Sequence, residues 1–269
     1  MEVFDLSNLD AEHTSRILTS WDELDWAYGS NTSYGLPSGS ISLWSGAPGI
    51  GKTRLLVELM KRFDQMNPPQ TSMIFQGEIS PARFKGEKMG DYIPCGNIWV
   101  SGDVAIDEQI AAIDHYKPRL VITDSVQQIE EYRGGRGAKE IVRKIRDVIE
   151  RTDTHVIFIS QLTREGKSKG GTDLPHEVDV ECIIESGQKV SDSLFVLTVG
   201  KNRFGCKGRE VVFAHHDWGV RCESNNRFED DDFLESIGVP RYEAPVVKPR
   251  GRIQTWLFGP GRDSFQDSF

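Results

Sequence analysis

The glycine-rich stretch at residues 46–53, with the sequence GAPGIGKT, constrains the fold more than any other part of the chain. It follows an apolar run at 41–44, which is typical of a buried strand, and it precedes apolar residues at helical spacing from Leu55 to Phe63. Glycines let backbone N–H groups turn inward around phosphate oxygens, and a helix N-terminus adds partial positive charge. The sequence therefore predicts a phosphate-binding loop between a strand and a helix.

The last two residues of this loop carry side chains suited to a triphosphate. Lys52 can reach the β- and γ-phosphates, and the hydroxyl group of Thr53 can be a ligand of Mg²⁺. We therefore predict that a nucleotide and Mg²⁺ bind here. The predicted nucleotide contacts are Gly46, Ala47, Pro48, Gly49, Ile50, Gly51, Lys52, Thr53 and Arg54.

Length and composition limit the classes of protein to which the chain can belong. Its 269 residues suffice for one large α/β domain with an appendage, and no apolar run is long enough to span a membrane. The acidic N-terminus lacks an apolar signal segment, and the four cysteines form no C-x-x-C pair. These features predict a cytoplasmic protein with reduced thiols and no membrane partner. The net charge of −9 argues against an all-over basic surface but permits a local basic loop.

Apolar runs of strand length alternate with segments of helical periodicity up to residue 163. The predicted strands are residues 41–44, 71–78, 97–101, 120–124 and 155–161, and the segments between them predict helices, including a short one around 80–89. This alternation predicts an α/β fold with a mostly parallel sheet that is buried on both faces. Further runs at 179–185, 194–200 and 210–215 have no helical segments between them, so they predict antiparallel strands at the sheet edge.

The two ends of the chain differ from this core. We predict an N-terminal extension at 1–15, a core at 16–222 and an acidic, partly disordered tail at 223–269. Ser20 is predicted to cap the first helix, because Glu23 follows it by three residues. The tail combines Phe228 and Phe233 with an acidic run at 229–232, so either it docks on a basic, apolar pocket of a replication or recombination partner or it only keeps DNA off the outer surface.

Two carboxylates are predicted at the edge of the sheet where the phosphate-binding loop opens. Asp124 ends the apolar run LVITD, and the carboxyl ends of parallel strands are where ligands bind. It is predicted to hold Mg²⁺ through water, while Thr53 is the direct ligand. Glu78 ends the strand that follows the first long helix, so it is a candidate general base for the attacking water.

Three polar side chains complete the predicted machinery. Gln161 ends the fifth strand and is a candidate sensor that hydrogen-bonds the γ-phosphate. Lys201 and Arg203 lie two residues apart on an extended segment, so they point the same way and could reach the phosphates of a neighbouring subunit. From spacing alone, a solvated Lys-Arg pair is the more usual interpretation.

Several motifs resemble one known family. They are GLPSGS at 35–40, GEISP at 77–81, ITDSVQ at 122–127, TREG at 163–166 and KNRFG at 201–205. Together with the phosphate-binding loop they resemble the ATPase domain of the bacterial RadA/Sms family, a RecA-related group of recombination motors, over about residues 16–220. KNRFG is the most specific of these matches.

The resemblance implies a RecA-like fold, ATP hydrolysis with Mg²⁺, and a homo-oligomeric ring, typically a hexamer, around DNA. By position it implies that Glu78 is the base, that Asp124 is the Walker B acid, and that Lys201 and Arg203 act in trans. Two departures limit it: the family's zinc finger and Lon-protease-like domain have no counterpart here, and Gln161 replaces the usual Gly-His. A compact version of this fold that consists of the ATPase core alone indicates a phage-encoded recombination or replication factor.

Two polar loops are predicted to contact single-stranded DNA. The resemblance assigns the loops at 127–137 and 163–175 to the channel of the ring, and both contain glycines and cations that can follow a phosphate backbone. Ordinary solvated loops are the plain alternative. The predicted DNA contacts are Arg133, Arg136, Arg164, Lys167 and Lys169.

The function that these features favour is an ATP-driven, DNA-dependent motor and helicase of the RadA type, acting in recombination, branch migration or repair. A replicative helicase like DnaB is the nearest alternative, although KNRFG favours RadA. A signalling ATPase like KaiC, which binds proteins and not DNA, is the alternative from another class. Stimulation of ATP turnover by DNA would separate a DNA motor from the signalling ATPase.

Overall fold

A computed structural model describes residues 14–129, 137–162, 173–186, 194–217 and 219–226. In this part of the chain, a nine-stranded sheet has the order β11-β10-β9-β8-β3-β7-β6-β4-β5, and a separate two-stranded sheet pairs β1 with β2. The strands are β1 (Arg16–Ile17), β2 (Leu36–Pro37), β3 (Ile41–Gly46), β4 (Ser72–Gln76), β5 (Ile98–Ser101), β6 (Leu120–Asp124), β7 (His155–Gln161), β8 (Val180–Ser186), β9 (Leu194–Asn202), β10 (Glu210–His216) and β11 (Gly219–Asn225).

Helices connect the parallel strands, as the alternation of apolar runs predicts. They are α1 (Asp22–Tyr28), α2 (Lys52–Gln65), α3 (Pro81–Phe84), α4 (Ile106–Tyr116), α5 (Ala138–Thr152) and α6 (Asp173–Glu177). The predicted helix around 80–89 is divided, since α3 continues into a π-helical turn at Lys85–Met89. A 3₁₀ turn at Val126–Gln128 follows β6 directly.

The central strands are buried on both faces because alternate residues enter different cores. Trp44 and Ile122 pack in the core that includes α1 and α2, whereas Leu43 and Val121 pack in the core that includes α4 and α5. Successive side chains of a strand point to opposite faces, so a continuous apolar run supplies both cores. The predicted mostly parallel α/β fold is confirmed.

The C-terminal part of the sheet differs from the prediction in one pairing. β8 is parallel to β3 and antiparallel only to β9, so the expectation that all three late runs are antiparallel is wrong for the first of them. The physical reason is that the chain returns to the amino-terminal edge of the sheet before β8 begins. β9, β10 and β11 then form antiparallel pairs, and β11, which the sequence did not predict, continues to Asn225.

The cap predicted for the first helix is also wrong. Trp21 is the N-cap residue of α1, and it makes no side-chain capping bond. Ser20 has a φ of 60°, and the buried carboxylate of Asp25 instead accepts hydrogen bonds from the backbone N–H of Thr19 at 2.9 and 3.1 Å. Among the described residues, no helix is both long and apolar enough for a membrane span.

Candidate active site

The glycine-rich loop lies between β3 and α2, where the sequence predicts it. Gly49 and Gly51 have φ values of 78° and 99°, in the left-handed region that favours glycine, and Gly51 is the N-cap residue of α2. Lys52 is buried, and its Nζ donates hydrogen bonds to the carbonyl oxygens of Gly46 at 2.7 Å and Ala47 at 2.9 Å. Burial lowers the pKa of the Lys52 ammonium, and the charge of Asp124 opposes this. The Lys52 side chain therefore folds back onto the first two residues of its own loop.

Asp124 lies beside this loop at the carboxyl end of β6. Its Oδ2 atom accepts a hydrogen bond of 2.5 Å from Thr53 Oγ1. Burial raises the pKa of the Asp124 carboxyl and the charge of Glu78 adds to this, whereas the Thr53 hydrogen bond and the charges of Lys52 and Lys88 lower it. A hydroxyl and a carboxylate are hard oxygen ligands of the kind that Mg²⁺ prefers, so this pair fits the predicted metal.

A small cleft that is open to solvent lies next to the Thr53–Asp124 pair. Its wall brings together two carboxylates and one cation that lie far apart in the sequence. The lining residues are Thr53, Gln76, Glu78, Ile79, Phe84, Lys88 and Asp124. Sequence reasoning missed Lys88, because the π-helical turn that carries it toward the cleft has no distinct sequence signal.

Glu78 lies on a turn and not at the end of a strand. β4 ends at Gln76, whose side chain donates to the carbonyl of Ile79 at 2.6 Å and accepts from its N–H at 3.1 Å. This closes a turn in which Glu78 is exposed and faces the cleft. The predicted strand at 71–78 thus continues two residues too far at its C-terminal end, because the Gln76 side chain replaces sheet pairing with local hydrogen bonds.

Gln161 lies next to the start of the glycine-rich loop. It pairs with Gly46 in the parallel register of β3 and β7, and the N–H of Leu162 donates to the Gly46 carbonyl at 3.1 Å. Its backbone position agrees with the sensor predicted from the sequence. Its contact with a phosphate stays a prediction.

Lys201 and Arg203 lie at the opposite edge of the sheet from the glycine-rich loop. Asn202 is in register with Val180, which pairs next to the first residues of β3. Val180 is in register with Ser42, four residues before Gly46, so at about 3.3 Å per residue this edge is about 13 Å from the start of the loop along the strand direction. Neither cation is therefore placed to touch a nucleotide on its own subunit.

Both cations are held by their own chain at that edge. Lys201 Nζ donates to the carbonyl oxygens of Pro175, His176 and Val178 at 2.9, 3.0 and 2.7 Å. Burial lowers the pKa of the Lys201 ammonium, and the charge of Arg203 adds to this. Arg203 donates to the buried carboxylate of Asp179 at 3.0 Å.

A histidine that the sequence did not single out packs on the glycine-rich loop. His215 Nε2 lies 3.2 Å from the carbonyl oxygen of Ile50, and its ring stacks on Phe195 at 4.6 Å. A Cβ atom at Gly51 would come within 2.1 Å of that ring, so glycine is required there. Arg54 donates to the backbone carbonyl of His216, and its contact with a nucleotide stays a prediction. Arg133, Arg136, Arg164, Lys167 and Lys169 lie outside the described residues.

Several relatives that match most of the chain carry one name. The chain is 29% identical over 223 residues to the DNA repair protein RadA of Mycobacterium tuberculosis, covering 80% of this chain and 45% of that protein. The predicted resemblance to RadA is confirmed. RadA of Mycolicibacterium smegmatis is 29% identical over 82% of this chain, and RadA of Aquifex aeolicus is 28% identical over 81%. The RadA-like chain spans about half the length of these curated relatives.

The structural comparison agrees with the predicted fold. A solved structure described as an ATPase domain superposes with a TM-score of 0.53 and 16% identity, covering 66% of the RadA-like chain and 82% of that chain. The RecA-like fold is therefore confirmed. No protein-family model matches the chain.

Proposed function

We propose that the chain is an ATPase that uses Mg²⁺. The observation that carries this proposal is the 2.5 Å contact between Thr53 and Asp124 beside Lys52, in a cleft that also receives Glu78. A cation for the phosphates, two oxygen ligands for a metal and a carboxylate free to accept a proton are the parts that phosphoryl transfer to water needs.

Each residue of the site would have a distinct part in the reaction. Lys52 would leave the carbonyls of its own loop to contact the phosphates, while the N-terminus of α2 stabilises their negative charge. Thr53 and Asp124 would hold Mg²⁺, which neutralises charge on the phosphates as it develops. Glu78 would orient the attacking water and accept its proton.

We further propose that the active assembly is a homo-oligomeric ring, most simply a hexamer. Support comes from Lys201 and Arg203, which lie on an edge that cannot reach the nucleotide of the same subunit. In a ring, that edge of one subunit can face the glycine-rich loop of the next, so each ATP would contact two subunits. Arg203 is anchored by Asp179, which would preserve its direction.

The proposed substrate of the motor is single-stranded DNA. Support comes from relatives that are named DNA repair proteins and from the basic loops that carry Arg133, Arg136, Arg164, Lys167 and Lys169. These cations would contact phosphates without reading sequence. ATP hydrolysis would drive movement along DNA in recombination, branch migration or repair, with helicase activity as one outcome of that movement.

The rate of ATP hydrolysis with and without single-stranded DNA tests this function. We expect DNA to raise the rate of the unaltered chain, and we expect the combined changes Arg164→Ala, Lys167→Ala and Lys169→Ala to weaken DNA binding and flatten its salt dependence. Electron microscopy with nucleotide and DNA should show rings. An ATPase rate that does not change when DNA is added would favour a protein-binding signalling ATPase. A chain that stays monomeric under all conditions would contradict the ring.

A further inference from the structure

The 3₁₀ turn after β6 carries two glutamines that contact different neighbouring elements. Gln127 donates from Nε2 to Ser160 Oγ of β7 at 2.9 Å. Gln128 contacts the turn that follows β4 on the other side. One short turn therefore joins the carboxyl ends of β4, β6 and β7, which together surround the candidate active site.

The side-chain amide of Gln128 forms hydrogen bonds with two consecutive residues, one through its oxygen and one through its nitrogen. Its Oε1 accepts the backbone N–H of Gly77 at 2.9 Å, and its Nε2 donates to Glu78 Oε1 at 3.4 Å. A Cβ atom at Gly77 would lie 2.7 Å from Gln128 Oε1, so the close approach depends on glycine at 77. The amide is half-buried, whereas Glu78 is exposed.

Little else restrains the Glu78 carboxylate. Among the described residues, the bond from Gln128 is the hydrogen bond that this carboxylate receives. The Gln76–Ile79 contacts shape the backbone of the turn but leave the direction of the glutamate side chain open. An exposed glutamate loses rotamer freedom when it is held in one direction, so a fixed donor is needed to select that direction.

We propose that Gln128 is a positioning residue that directs the Glu78 carboxylate toward the cleft. This inference rests on the proposed function, in which Glu78 is the general base. A base that is misplaced by about 1 Å can slow a reaction by about 100-fold, so the donor end of Gln128 acts on the chemical step. The acceptor end only holds the Gly77 backbone, and the two ends can be tested separately.

Two substitutions separate the ends of the amide. Gln128→Glu keeps an oxygen that accepts the Gly77 N–H but replaces the donor with a carboxylate that repels Glu78. Gln128→Leu removes both contacts. We expect kcat for ATP to fall about 10-fold or more in both variants, with KM and the Kd of a fluorescent ATP analogue within about twofold of the unaltered chain. Wild-type kcat in Gln128→Glu with a low kcat in Gln128→Leu would show a merely structural role and overturn the inference.

A control and a double-mutant cycle complete the test. Ser80→Ala removes the side-chain cap of α3, where Ser80 Oγ accepts from the N–H of Arg83 at 3.3 Å, and so loosens the same segment without touching Glu78. We expect its kcat to stay within about twofold of the wild-type value, whereas an equal loss in Ser80→Ala would overturn the inference.

In single-turnover measurements, Glu78→Gln with and without Gln128→Glu should react at the same rate, because the base is already absent. Losses that multiply would show that Gln128 acts elsewhere, and so would contradict its proposed role. If the unaltered chain does not hydrolyse ATP at all, the proposed function falls together with the inference. Normal turnover in the unaltered chain and in Gln128→Glu would overturn the inference alone.

Discussion

The hydroxyl oxygen of Thr53 lies 2.5 Å from a carboxylate oxygen of Asp124, joining the first turn of α2 to the end of β6. The two residues are 71 positions apart in the chain, and β3, β7 and β6 are consecutive neighbours in the sheet. The two oxygen atoms of the proposed Mg²⁺ site are therefore adjacent in the folded chain.

Asp124→Asn should lower ATP turnover by about 100-fold and raise the Mg²⁺ concentration needed for half-maximal activity, because the amide oxygen is neutral and binds Mg²⁺ weakly. A magnesium titration of the hydrolysis rate measures both effects. Thr53→Ser is the matched control, since it keeps the hydroxyl group and should retain most activity. An unchanged magnesium requirement in Asp124→Asn would contradict the assignment.

Glu78→Gln should slow hydrolysis strongly while sparing nucleotide binding. The amide keeps the size of the side chain but cannot accept a proton, so kcat should fall by about 100- to 10,000-fold. The Kd of a fluorescent ATP analogue should change by less than about threefold, because Glu78 is exposed and is not among the predicted nucleotide contacts. Full turnover in this variant would exclude Glu78 as the base.

Lys88→Gln should weaken ATP binding by several-fold, whereas Lys85→Gln should not. Both lysines are exposed on the same π-helical turn, but only Lys88 lines the cleft with Asp124 and Glu78. Without the positive charge of Lys88, the negative charges of Asp124 and Glu78 repel the phosphates of ATP more strongly, so binding becomes weaker. Isothermal titration with an ATP analogue measures the difference, and equal effects of the two changes would show that Lys88 has no special part.

A mixture of Lys52→Ala and Arg203→Ala chains should regain ATP hydrolysis that neither variant has alone. Arg203 lies at the far edge of the sheet from Lys52, so an intact loop on one subunit can meet an intact arginine on its neighbour. Up to about a quarter of the interfaces in an equal mixture would combine the two intact sites. Mixtures that stay inactive would indicate that Arg203 serves only the fold of its own subunit.

Stability should fall in acid partly because of His155. Burial lowers the pKa of His155 from 6.5 to about 4, and its Nδ1–H donates to the carbonyl of Pro37 at 2.8 Å. The folded state thus favours the neutral ring, so this contribution is complete above pH 6.5 and is lost as the pH falls toward 4. It amounts to about 3 kcal/mol.

Urea unfolding at a series of pH values checks this prediction. In His155→Gln the slope of unfolding free energy against pH should be flatter between pH 4 and 6.5, even if the variant is less stable throughout. Asp25 acts in the opposite direction in both proteins, since burial raises its pKa to about 7 and its stabilising effect is lost as the pH rises from 3.8 toward that value. Identical slopes would show that His155 does not titrate between the folded and unfolded states.

Much of the site could be predicted because it follows from local pattern and from one rule of topology. The GAPGIGKT stretch needs only the strand before it and the helix after it. Asp124 was predicted correctly at the end of β6, because the carboxyl ends of parallel strands meet at one edge. The residue pattern extended β4 too far and placed Glu78 on a strand, because it does not reveal that the Gln76 side chain closes a turn.

The sequence by itself determined the phosphate-binding loop, the alternation of strands and helices, and the edge of the sheet at which the chemistry is expected. Only the tertiary structure decided that Lys88 and Gln128 flank Glu78, that His215 packs on Gly51, and that Arg203 is anchored by Asp179 at the other edge. Periodicity reports which face of an element is buried. Contacts between side chains that are distant in the chain depend instead on how several elements pack together, and no short pattern records that.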